Sequence, residues 1–87
     1  MKLNEEAKSL IRTSLNMEEN ILKLGLGKWE TKLKEYENSN GMSTETFVNK
    51  FNGGELGDEQ KWFDWLFAYK AFNHIKNKLN IMKGINV

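Results

Sequence analysis

Hydrophobic positions along this chain recur with helical rather than strand spacing. Trp65, Ala68, Phe72, Ile75, Leu79 and Met82 alternate in steps of three and four, the signature of one apolar helix stripe. Trp62, Phe63, Leu66 and Phe67 fall largely on the other side, so the first turns of this helix are apolar all round and need cover from two directions. No Gly or Pro interrupts the chain between Asp58 and Gly84. The expected helix therefore runs over about 59–83, with Asp58 as its N-cap because its carboxylate suits the unpaired first-turn amides.

Upstream, Leu3, Ala7, Leu10, Met17, Ile21 and Leu24 share one helical face. Ile11, Leu15, Leu22 and Leu26 form a neighbouring stripe. Together they make the broad apolar surface of a buried or dimerising helix. Asn4 before Glu5 and Glu6 reads as an N-cap with an acidic first turn. Gly25-Leu26-Gly27 predicts a break, since each glycine costs about 1 kcal/mol inside a helix. Against the break, Leu22, Leu26, Trp29, Leu33 and Tyr36 keep a heptad rhythm across it. Residues 4–38 thus form either helices over about 4–24 and 28–38 or one long helix. Gly41 suits a left-handed residue closing a helix, and Ser43 caps a short helix over about 44–52 with Phe47, Val48 and Phe51 on its apolar edge.

The fold class expected is all-α: a single domain built as a small bundle or hairpin of three to four helices with a long C-terminal helix. At 87 residues such a domain buries only about 60 % of its unfolded surface, and a homodimer or another partner would help it. One alternative is that Ile11–Leu15 alternates as a strand and Asn16–Glu19 opens a helix as a capping box. That is the ribbon–helix–helix plan of a DNA-binding autoregulator, with only Arg12 and Ser14 to read DNA.

Charge and composition narrow the function. Cys is absent, which excludes disulfides, a thiolate nucleophile and zinc–thiolate sites. Neither a signal peptide nor an apolar run of membrane-spanning length is present, so the cytoplasm is expected. Net charge is +1, and past Asp64 only Lys70, Lys76, Lys78 and Lys83 carry charge. They complement the helix dipole and scatter around the helix, unlike a focused nucleic-acid patch. His74, the one histidine, lies with Lys70 and Lys78 on the polar side and lacks an activating neighbour. Glu55, Asp58, Glu59 and Asp64 do not follow calcium-loop spacing. Gly53-Gly54-x-x-Gly57 follows a helix and lacks the Lys-Ser/Thr ending of a phosphate loop. No enzyme, cofactor or metal is expected.

Residues 33–79 resemble a pattern in many small bacterial and archaeal proteins. It consists of a helix ending in Tyr/Phe-Gly-Met-Ser/Thr, then Glu-x-Phe, Phe, Gly-Glu-Leu-Gly-Asp, and an aromatic-acid-aromatic segment leading to Tyr. The matches are Gly41, Met42, Ser43, Glu45, Phe47, Phe51, Gly54–Asp58, Phe63, Asp64, Trp65 and Tyr69. Here the helix ends Asn38-Ser39-Asn40 instead of in an aromatic, and residues 1–32 lie outside the resemblance. These proteins are similar to antitoxins proposed to be encoded beside a small toxin gene, which implies an inhibitor that binds a partner protein. The expected function is a non-enzymatic protein–protein interaction module of this antitoxin-like kind. Its expected docking face is Glu55, Leu56, Asp58, Trp62, Phe63 and Leu66, with the acids steering and the aromatics supplying affinity. A purely structural homodimer is the alternative from another class.

Overall fold

The computed structural model describes residues 4–85. Three α-helices follow one another: α1 over Glu5–Asn40, α2 over Thr44–Asn52 and α3 over Gln60–Lys83. No strand occurs among the described residues, so Ile11–Leu15 is helix and the ribbon–helix–helix plan is overturned. The all-α class stands, with three helices and not four.

α1 is continuous through Gly25 and Gly27, which corrects the division at 24–28. Packing decides this. Contacts pair the two long helices in opposite order: Tyr36 stacks on Trp65 at 5.8 Å, Trp29 meets Phe67 edge-on at 5.6 Å, and Gly25 faces Ile75. The antiparallel α3 therefore spans the glycines and holds both sides of them in one helix, offsetting their propensity cost. Gly25 also has a steric role, because a Cβ there would lie 3.1 Å from Ile75 Cδ1.

The caps follow local chemistry. Asn4 Oδ1 accepts from the Ala7 amide at 2.7 Å. Gly41 closes α1 at φ 65°, its amide donating to Glu37 O at 2.9 Å, a conformation that costs glycine nothing. Ser43 Oγ accepts from the Thr46 amide at 3.1 Å. Glu37 Oε2, from α1, accepts from the Thr44 amide at 2.7 Å, placing a carboxylate against the positive end of α2. The expected Asp58 cap does not form. Glu59 takes the N-cap position without a side-chain hydrogen bond, and α3 starts at Gln60.

The core lies at one end of the molecule, where α2 folds back. Leu33, Phe47, Trp62, Trp65 and Ala68 are buried there. Phe47 and Trp65 are fully buried and lie flat on each other, with centroids 4.1 Å apart and planes at 2°. Trp62 joins the stack at 5.9 Å from Phe47. Trp65 Nε1 donates to Thr44 Oγ1 at 3.1 Å, satisfying the indole that this packing cuts off from water. Among the described residues no buried side-chain polar atom lacks a partner.

Candidate interaction surface

The connection from α2 to α3 forms the acidic end of the molecule. Gly54 turns the chain at φ 70°, and the Glu55 amide donates back to Lys50 O at 3.0 Å. Glu55 and Asp58 are exposed, while Leu56 is half-buried and packs on the core. The Glu55–Asp58 segment thus presents carboxylates outward and anchors itself inward through Leu56.

The expected docking face is only partly assembled. Trp62 is 9 % exposed and belongs to the core, so it is unavailable for docking. α2 delivers Phe47 onto it, and Lys61 Nζ lies 4.5 Å over its ring. Leu66 is half-buried against the same core. Phe63 is at the surface, 46 % exposed, with its ring edge-on to Phe51 at 5.6 Å. The residue missing from the expected face is Phe67. It is 64 % exposed and supported from one side by Trp29. Its spacing of four from Phe63 was the available signal, since i and i+4 share a helix face.

Elsewhere several polar groups are engaged in structure. An open groove of about 550 Å³ between the helices is lined by Glu30, Lys34, Glu37, Val48, Tyr69 and Phe72 among others. Glu30 pairs with Lys34 at 3.5 Å, and Glu37 is committed to the α2 N-terminus. Asp64 faces solvent and accepts from Gln60 Nε2 at 3.0 Å. His74 is exposed. Among the described residues no group of three or more His, Cys, Asp or Glu is arranged to hold a metal ion, and no helix is long and apolar enough to cross a membrane.

No family model, curated protein or solved structure matches the chain.

Proposed function

We propose that the chain is a non-enzymatic protein–protein interaction module, an antitoxin-like inhibitor that occludes the surface of a small partner protein encoded beside it. The observation that supports this is the pair of exposed rings, Phe63 and Phe67, next to an acidic turn. Two aromatic side chains held by Phe51 and Trp29 but open on one side bury large apolar area on docking at little entropic cost. Glu55 and Asp58 add a negative rim that accelerates encounter with a basic surface. The experiment is copurification with the product of the adjoining gene. The Phe63→Ser/Phe67→Ser variant is expected to lose at least tenfold in affinity, on the order of 1.4 kcal/mol, with its far-UV circular dichroism unchanged. Full retention of binding by that folded variant refutes the docking face.

A second reading, a homodimeric helical protein, is favoured by a separate observation: α1 leaves Leu10, Met17, Ile21 and Leu24 exposed.

A further inference from the structure

The outer side of α1 carries an apolar stripe that the rest of the described chain leaves open. Leu10, Met17, Ile21 and Leu24 are 69, 61, 61 and 77 % exposed. With Ala7 and Ser14 they occupy positions 7, 10, 14, 17, 21 and 24, a strict alternation of three and four that is the 3.5-residue repeat of a coiled-coil seam. The stripe that faces α3, through Leu22, Leu26, Trp29 and Leu33, lies about 120° around the helix from it. α1 therefore has two seams, and among the described residues only the one facing α3 is used.

α1 also outruns its support. Glu19, Lys23, Leu79 and Lys83 line one hollow where α3 ends, so roughly ten residues of α1, about 15 Å, project beyond it.

We propose that this second seam joins two copies of the chain, with α1 packed antiparallel on the partner's α1 and Ala7 opposite the partner's Leu24. The proposal rests on the homodimeric reading above and gives it a surface and a register. In this register Leu10 meets the partner's Ile21, and Ser14 meets the partner's Met17. Each small side chain then faces a large one, which fills a seam evenly. A parallel pairing sets Ala7 on Ala7 and Ser14 on Ser14, leaving gaps. The antiparallel one brings Glu6 within a turn of the partner's Lys28, an attractive pair at the end of the seam. Each projecting end rests on the part of the partner's α1 that is backed by α3. A lipid surface would favour lysines along the margin, where the sequence has Glu6, Thr13 and Asn20.

The native chain has no cysteine, so introduced thiols report the register directly. Ala7→Cys and Leu24→Cys are made as separate proteins carrying different tags, mixed, and oxidised. The expected result is a cross-linked heterodimer from the mixture and none from either variant alone. Size-exclusion chromatography with light scattering should give twice the 10.2 kDa of one chain. Met17→Glu/Ile21→Glu should halve that mass while keeping the near-ultraviolet circular dichroism of the tryptophan core. A wild-type monomer overturns both the seam and the homodimeric reading. A dimer in which each thiol variant cross-links with itself overturns the antiparallel register alone. Dimer mass persisting in the double glutamate variant moves the interface elsewhere. A monomer whose binding to the adjoining gene's product is lost in the double glutamate variant, but kept in Phe63→Ser/Phe67→Ser, assigns the seam to that partner and refutes self-pairing.

Discussion

Trp65 touches all the elements of the core through one side chain. Its ring lies on Phe47 of α2 and stacks on Tyr36 of α1, while its Nε1 donates to Thr44 Oγ1 at the start of α2. Thr44 is 8 % exposed, so water is a poor substitute for its hydroxyl. Thr44→Val keeps the shape and strands a buried donor, which costs about 1–3 kcal/mol. In a domain of this size each kcal/mol lowers the melting temperature by roughly 4–8 °C. Thr44→Ser, which keeps an acceptor, should lose clearly less. Equal melting temperatures for the two variants would show that the hydrogen bond contributes nothing. At this scale the sequence was legible where chemistry is local: Asn4 and Ser43 cap helices through their side chains, and Gly41 closes α1 in a left-handed conformation. It misled at Trp62, because a helix wheel shows that a side must be covered without showing what covers it. The cover is Phe47, brought by a separate helix. Asp58 failed as a cap for a related reason. Leu56 anchors the turn inward, and α3 begins one residue later than an isolated Asp cap would start it.

Among the elements, α1 sets the geometry. Its 36 residues include two glycines that intrinsic propensity alone would make a break. The heptad rhythm across them carried the correct outcome, and packing against α3 enforced it. The two glycines differ in surroundings. A Cβ at Gly27 meets nothing within 4 Å, whereas one at Gly25 approaches Ile75 Cδ1 at 3.1 Å. Gly27→Ala should therefore stabilise the protein by about 0.5–1 kcal/mol, by restricting the unfolded chain and improving helix propensity. Gly25→Ala should gain less, since Ile75 must shift its terminal methyl to make room. Urea midpoints measured at an unchanged slope check both. If Gly27→Ala destabilises the protein, the helix is strained or bent at that residue in a way its open surroundings do not reveal. The ion pairs along α1, such as Lys23–Glu19 at 2.7 Å, join exposed groups at i,i+3 or i,i+4 and add only tenths of a kcal/mol each.

At the scale of the whole molecule the chain is a rod, 56 × 22 × 18 Å with a Cα radius of gyration of 18.0 Å, against about 12 Å for a compact domain of the same length. The rod separates two surfaces. Phe63, Phe67 and the acidic turn sit at the α2 end beside the core, and the open α1 seam sits towards the other end. A dimer formed through the seam leaves the Phe63/Phe67 face of each copy free, so self-association and partner binding need not compete. It also has a definite size. The proposed register sets the midpoints of the two α1 helices 14 residues apart, about 21 Å. Because α1 runs nearly the length of the 56 Å rod, the offset extends the dimer to about 77 Å. Two rods lying flush, or paired through their aromatic ends in side-by-side fashion, would stay close to the length of one. Small-angle scattering of the wild-type dimer distinguishes these through its maximum dimension. A value near that of a single rod would exclude the offset even if the dimer mass were correct, because antiparallel helices locked at Ala7 and the partner's Leu24 have no means of coming into full overlap.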